Sequence, residues 1–265
     1  MNIAAVLPLY LSNDILLDFT KQTVESIKSE EHSIMLYFIV NFAKPEFYPK
    51  KESFDFYHSI KDVKIIDNPK GNEVGAAWNL GIKTALADGN DYVMVLNNDL
   101  VLHEKCVDNL VWFAQDYPEF LLWTAAEHLD LKTLKDIKLT DEFSEHPHFS
   151  YFMVNQKTVD TVGWFDENLK MAYHEDGEFH YRILLSDNKA GKTESAKFYH
   201  YGSRTIHTDD ELFDKNKRSY EDNRSYIKLK WGIDFHDKVY VPPEKMLEEG
   251  YKYPFNNSSK NWRDW

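Results

Sequence analysis

The chain has 265 residues, of which 43% are hydrophobic, and this length suits one large domain or one domain with an extension. Its formal net charge of −13 gives no general electrostatic attraction to nucleic acid or to an anionic membrane surface. The single cysteine, Cys106, excludes a disulfide framework and a cysteine-based zinc site within one chain.

Short apolar runs alternate with amphipathic segments over roughly the first 115 residues. The runs predict four buried strands, at residues 3–9, 33–41, 63–68 and 92–97. The segments between and after them predict three helices, at about 15–28, 73–89 and 104–115. This alternation predicts an α/β fold, in which a parallel sheet is covered by helices on both faces.

The second half of the chain has a less regular pattern. Further strands are predicted at 121–126, 148–155 and 195–203. Helices are predicted at 156–162 and, after a loop, within 171–187. Residues 206–265 are polar and aromatic, and their clearest helical piece is "YIKLKWG" at 226–232.

Polar side chains follow each of the first four predicted strands. They are Tyr10, Asn41, Asp67 and the triplet Asn97, Asn98 and Asp99. In open α/β sheets, ligands bind beyond the carboxyl ends of the strands, so these side chains are expected to converge on one crevice.

The triplet Asn97–Asp99 has two interpretations. A carboxylate at a strand end can bind a divalent cation, and the cation can bridge the phosphates of a nucleotide-sugar. Asn and Asp also favour turns and strand exits without any ligand. This stretch alone leaves both interpretations open.

Three further segments carry the same kind of ambiguity. The glycine-containing loop and helix start at 68–85 can meet an anion or a nucleobase, or form an ordinary amphipathic helix. Glu175 and Asp176 precede a helix, where acids act as a general base and a hydroxyl ligand or simply as partners of the helix dipole. His200 follows an apolar strand and is either a ligand or a structural residue.

Taken in this order and spacing, the segments resemble the family 2 glycosyltransferases of the GT-A fold. The matching pieces are Pro8-Leu9-Tyr10, Gly75–Gly81 with Asn79, Asn97-Asn98-Asp99, Gly163–Glu167, Glu175-Asp176 and His200. The resemblance covers roughly residues 3–205. It implies a GT-A domain at 1–205 and a C-terminal extension at 206–265 that packs on this core.

The resemblance also implies roles on the donor side of a site. Pro8 and Tyr10 would flank the base, and Asn41 or Asp67 would hydrogen-bond its edge. Asn79 and Asn98 would lie near the nucleotide.

Asn97 replaces the first acid of the family's D-x-D motif and, as an amide, would reach a ribose or a uracil. Asp99 and His200 would hold Mn²⁺ or Mg²⁺, which suit a carboxylate, an imidazole and phosphate oxygens.

The implied reaction is an inverting transfer by a hexosyl- or pentosyltransferase. Asp176 would be the general base and Glu175 would orient the acceptor, while a UDP-sugar would be the donor and a glycan the favoured acceptor. Spacing alone does not separate these two acids.

Two alternatives remain beside the glycan transferase. The tail at 226–256 faintly resembles enzymes of bacterial viruses, some of which glycosylate hydroxymethylated pyrimidines in DNA. The other alternative is a catalytically silent module that binds nucleotide-sugars.

The sequence also bears on where the protein is found. The N-terminal segment has no basic region, and no run of about 18 apolar residues occurs. We therefore expect a cytoplasmic protein without a membrane span, located in the host cytoplasm if the protein is viral.

Overall fold

A computed structural model describes residues 1–11, 13–40, 51–71, 73–202 and 210–231 of the chain. Within these ranges the strands are β1 Asn2–Leu9, β2 Ser33–Val40, β3 Val63–Asp67, β4 Tyr92–Leu96, β5 Leu100–Leu102, β6 Leu122–Glu127, β7 Phe143–Ser144, β8 Tyr151–Val154 and β9 Ala190–His200. The α-helices are α1 Asp14–Ser26, α2 Lys51–Ser59, α3 Val74–Ala87, α4 Cys106–Asp116, α5 Gln156–Val162, α6 Glu175–Leu185 and α7 Asp210–Trp231.

All of these strands belong to one mixed sheet with the order β3-β2-β1-β4-β8-β6-β9-β5, and β7 pairs with β9 beside this path. The pairs of β1 with β2, β1 with β4 and β2 with β3 are parallel, as the alternating pattern predicts. The second half differs, because β8 is antiparallel to both β4 and β6. The predicted α/β fold class, a central sheet flanked by helices, is confirmed.

The sheet is covered on both faces because successive side chains of a strand point to opposite sides. One face of the sheet packs against α1, α2 and α4, in a cluster that includes Ala5, Leu7, Leu16, Tyr57 and Leu110. The other face packs against α3, α5 and α6, in a cluster that includes Val6, Ile82, Val162, Phe179 and Ile183. No helix described between residues 14 and 231 has the length and apolar character needed to cross a membrane.

Helix α3 lies unusually close to the sheet at Gly81. A Cβ atom at this position would lie 2.2 Å from Cγ1 of Val6 and 3.2 Å from Cγ1 of Ile39. The absence of a side chain therefore lets the helix pack directly on β1 and β2. Since α3 follows β3, its first turn lies at the edge where the parallel strands end.

Strand β9 contains a bulge that determines where its last residues lie. Ala125 of β6 pairs with Thr193, but the next residue, Ala126, pairs with Lys197. The extra residues are accommodated in β9, and its end then pairs in antiparallel fashion with β5. In that ladder His200 lies opposite Leu100.

Candidate functional site

The order of the strands creates a crevice at the carboxyl ends of β1 and β4. From β1 the chain continues to β2 and β3 on one side, and it then returns to place β4 on the other side. Ligands bind at such switch points in open α/β sheets. Tyr10 follows β1 directly and the triplet Asn97–Asp99 follows β4, so both lie at this crevice.

Asp99 and His200 meet at this edge although 101 positions separate them in the sequence. Oδ1 of Asp99 lies 3.0 Å from Nε2 of His200. The two side chains are only 5% and 14% exposed. Nδ1 of His200 lies 3.3 Å from the hydroxyl of Ser150, which precedes β8 and which the sequence interpretation did not include.

The Asp99–His200 pair fits the first ligands of a hard divalent cation. Oδ1 of Asp99 and Nε2 of His200 are in direct hydrogen-bond contact, and two neighbouring ligands that are each ~2.1 Å from an octahedral ion lie roughly as far apart. In the part of the chain that the structure describes, no three His, Cys, Asp or Glu side chains form a group able to hold a metal.

The two asparagines of the triplet face different surroundings. The backbone N–H of Asn97 donates to the carbonyl of Ser150 at 3.0 Å, which ties the end of β4 to β8. The buried amide of Asn98 donates instead to the hydroxyl of Thr20 on α1 at 2.9 Å. Asn98 therefore anchors the turn to α1, while contact of either residue with a nucleotide stays a prediction.

Pro8, Tyr10 and Asp67, three of the residues predicted to hold a base, lie along the same edge. Pro8 is half-buried and pairs in register with Ile39, and Tyr10 is half-buried against the core. Asp67 is the exposed last residue of β3. Asn41 lies outside the described residues. The contacts of these residues with a base also stay predictions.

Asn79 makes hydrogen bonds within the protein that the sequence did not suggest. It is 6% exposed. Its amide donates to the carbonyl of Phe165 at 2.8 Å and to Glu167 at 3.0 Å, and its oxygen accepts from the N–H of Phe165 at 2.9 Å. Both donors are therefore used to hold the turn at 163–167. A role near the nucleotide stays a prediction, and the observed role is to position this turn.

The two candidate catalytic acids differ sharply in their surroundings. Glu175, the first residue of α6, is 6% exposed, and burial together with the neighbouring Asp176 raises its pKa to about 8. Asp176 is exposed, and its Oδ1 accepts from the N–H of Gly177 at 2.7 Å. The raised pKa favours the protonated form of Glu175 near neutral pH.

Replacing Glu175 with glutamine should change how stability depends on pH. A carboxyl whose pKa is raised on folding contributes stability below its unfolded pKa and loses it as pH rises through the folded value. The wild type should thus lose on the order of a few kcal/mol between about pH 5 and pH 8, and Glu175→Gln should not. Urea unfolding at both pH values measures this difference, and Glu25→Gln, at an exposed position on α1, is the control. Equal pH dependence in wild type and Glu175→Gln would contradict it.

Comparison with known proteins identifies the family. The family model described as Glycosyl transferase family 2 matches residues 6–164, more than half of the chain. The chain belongs to glycosyl transferase family 2. The family resemblance and the prediction of a glycosyltransferase are thereby confirmed at the level of the family. No curated protein sequence matches the chain.

Solved structures support the same fold. The crystal structure of GalNAc-T7 with UDP, GalNAc and Mn²⁺ matches with a TM-score of 0.57 and 13% identity, covering 76% of this chain and 44% of that one. The structure of S. aureus TarS 1-349 matches with a TM-score of 0.51 and 11% identity, covering 76% and 60%. A second S. aureus TarS structure has a TM-score of 0.51 and 12% identity, covering 76% and 36%. This chain spans less than two thirds of each, and identities this low show a shared GT-A fold only.

The match to glycosyl transferase family 2 ends at Trp164, before several candidate site residues. Asp99 lies within it, but Glu175, Asp176 and His200 lie beyond it. The assignment of these three therefore depends on the motifs in the sequence and on the geometry described above.

Beyond the matched range, this family 2 chain contains a buried cluster of charged side chains that the sequence interpretation missed. Lys230 of α7 lies 2.8 Å from Asp166 and 2.7 Å from Glu178, and both acids are fully buried. Arg182 binds the same Glu178 at 2.7 Å, and Tyr226 donates to Asp166 at 2.8 Å. These five residues are called the buried charge cluster below.

The cations of the cluster keep its acids ionised. Burial alone raises the pKa of a carboxyl group, but the charge and hydrogen bond of Lys230, together with hydrogen bonds from Asn168 and Tyr226, outweigh burial and leave the pKa of Asp166 lowered. At Glu178 the charges of Arg182 and Lys230 likewise overcome burial and lower the pKa. The turn at 163–167, α6 and α7 are thus joined by charge.

Proposed function

We propose that the chain transfers a sugar, with inversion, from a UDP-sugar to a hydroxyl group of a glycan. The observation that carries the proposal is the Asp99–His200 pair at the switch point of the sheet, 3.0 Å apart and largely buried. The family and the GalNAc-T7 complex with UDP, GalNAc and Mn²⁺ support a nucleotide-sugar donor and a divalent cation.

Each residue of the proposed cation site has a different role. Asp99 supplies a charged oxygen and His200 a nitrogen, while Ser150 contacts the other nitrogen of His200 and restrains the ring. A bound Mn²⁺ or Mg²⁺ would neutralise the charge that develops on the departing diphosphate. Tyr10 and Asp67, at the ends of β1 and β3, are proposed to border the base.

Asp176 rather than Glu175 is the proposed general base, because Asp176 is exposed and Glu175 is buried. Burial and the neighbouring Asp176 raise the pKa of Glu175 to about 8, which favours its protonated form near neutral pH, so less of Glu175 is available to accept a proton. Asp176 is exposed and can face an acceptor. Glu175, as a protonated acid, is suited to donate a hydrogen bond to the acceptor or to the loop.

Replacing Asp99 with asparagine should weaken binding of UDP in the presence of Mn²⁺. Asparagine keeps the shape of the side chain and removes its charge. Loss of a residue that only supports a metal ligand lowers metal affinity by roughly 10–100-fold. Asp99 is a proposed ligand itself, so we expect its replacement to lower the affinity for UDP by at least as much. Titration calorimetry of UDP with saturating and with limiting Mn²⁺ measures it.

The control for this measurement is Asp116→Asn. Asp116 is an exposed aspartate at the end of α4, near the opposite edge of the sheet. His200→Ala should follow Asp99→Asn and show its largest loss at limiting Mn²⁺. Wild-type affinity in Asp99→Asn would remove this residue from the cation site.

Activity is tested by incubating the wild type, in the presence of Mn²⁺, with one donor at a time. The donors are UDP-glucose, UDP-galactose and their N-acetylamino counterparts. Release of UDP, measured with and without chelator, needs no knowledge of the acceptor when the enzyme transfers slowly to water. Metal-dependent release from one of these donors supports the proposal. Tight binding of UDP without release from any donor would favour the silent binding module.

A further inference from the structure

We propose that α7 holds the loop at 170–174 in a strained conformation and that Asn223 is thereby a positioning residue for Asp176. The inference rests on the proposed function, because it takes Asp176 as the base. It gives a role to helix α7, which lies outside the family match ending at Trp164.

The loop before α6 has an unusual backbone. Met171, Tyr173 and His174 have φ angles of 59°, 78° and 76°. These angles lie in the left-handed region, which residues other than glycine rarely adopt. Such a strained residue persists only where the surrounding structure holds it. Glu175 and Asp176 follow this loop immediately, so its conformation sets the position of both acids.

Asn223 contacts the loop with both ends of its amide. Its oxygen accepts from the N–H of Lys170 at 2.8 Å, and its nitrogen donates to the carbonyls of Lys170 at 2.8 Å and Tyr173 at 3.1 Å. The side chain is 1% exposed, so water does not compete for these bonds. One side chain therefore fixes the first residue of the loop and one of its strained residues.

Other residues of α7 contact the segments on either side of the acids. The ring of Tyr220 packs against Tyr173 and His174, with centroids 5.8 and 4.6 Å away. One turn beyond Glu175, Glu178 binds Lys230 of the buried charge cluster. The opposite side of the loop is held by α3, where the N–H of Val74 donates to the carbonyl of Met171 at 2.9 Å. The loop is thus fixed from two sides, and α7 supplies one of them.

Asn223→Asp tests this inference with the smallest change of shape. The new carboxylate keeps the acceptor for Lys170 but places an oxygen against the two carbonyls, which removes both donors and adds repulsion. A shift of the base by ~1 Å is enough to cost about 100-fold in rate, so we expect kcat to fall by roughly 10–100-fold. The affinity for UDP with Mn²⁺ should stay within about twofold of wild type, because the cation site is elsewhere.

Three measurements on the full chain decide between positioning and general damage. They are kcat from UDP release, UDP affinity by calorimetry, and hydrogen exchange of the peptide around 170–177. Exchange should rise in this peptide and stay unchanged in β1 and β4. Ser225→Ala, two residues away on the exposed face of α7, should match wild type in all three.

A kcat within about twofold of wild type in Asn223→Asp, or unchanged exchange in the loop, would overturn the inference. Equal losses of kcat and UDP affinity would also overturn it, because they indicate general damage. If the wild type releases no UDP from any donor, the proposed function fails. The exchange result then decides by itself whether Asn223 holds the loop.

Discussion

Replacing Asp176 with asparagine should lower turnover by about 10²–10⁴-fold, the usual contribution of a positioned general base. This corresponds to roughly 3–5 kcal/mol of activation free energy, at about 1.4 kcal/mol per decade. The affinity for UDP with Mn²⁺ should not change, because Asp176 lies at the start of α6 and not at the Asp99–His200 pair. UDP release and calorimetry on the same preparation measure both quantities.

Glu175→Gln is the matched comparison for Asp176→Asn. The raised pKa of Glu175 favours its protonated form near neutral pH, which glutamine resembles, so this change should cost far less turnover. Both variants should keep wild-type affinity for UDP. A larger loss in Glu175→Gln would move the base to that residue, and near-normal turnover in both variants would contradict the inverting mechanism.

The second large effect is expected at Lys230, on stability rather than on catalysis. Lys230→Met removes the cation that lies between Asp166 and Glu178, both of which are fully buried. Arg182 still binds Glu178, but Asp166 keeps only neutral partners among its described contacts, namely Tyr226 and Asn168. Removing one partner of a buried ion pair costs about 3–5 kcal/mol.

Urea unfolding near pH 7 measures this loss, and Lys217→Met, at an exposed position on the same helix, is the control. The pKa values of Asp166 and Glu178 are lowered by folding, so the stability they contribute is present near neutral pH and is lost as pH falls through their folded pKa values. The difference between Lys230→Met and wild type should therefore shrink in acid. Equal stability of Lys230→Met and Lys217→Met would show that the acids need no cation.

The parallel half of the fold can be predicted because its strands are continuous apolar runs. β9 is harder, since the sequence predicts a strand from residue 195 and the structure begins it at Ala190. Its first half carries Lys192 and Glu194, and it pairs with the short strand β7, so neither an apolar run nor a clear alternation marks it. β5 escapes prediction because it has only three residues.

Helix α7 shows why hydrophobic periodicity has limits. The sequence indicates a helical piece only at 226–232, whereas the helix runs over Asp210–Trp231. Its inward face includes Asn216, Asn223 and Lys230 beside Ile227 and Trp231, so polar contacts hold much of it in place. Polar side chains that find buried partners cannot be distinguished from solvated ones until those partners are known.

The parts of the candidate site that lie at strand ends could be predicted from the sequence. The contacts that depend on pairing between strands far apart in the sequence could not. Asp99 and His200 come at the ends of apolar strands, which left a structural role open, and the family resemblance made them candidate metal ligands. Their contact depends on β5 turning back to pair with β9, and the contact with Ser150 depends on β8 lying beside β4. The direction of Asn98 likewise depends on Thr20, which belongs to a different element.

The bulge in β9 has a consequence for how the chain tolerates changes in length. Neighbouring residues of a strand face opposite sides of a sheet, so a shift of one residue in the β5–β9 ladder would turn His200 away from Asp99. The three residues between Thr193 and Lys197 set that register. A deletion that the bulge does not absorb, and that therefore shifts this register, would separate Asp99 from His200 while leaving both side chains in the sequence.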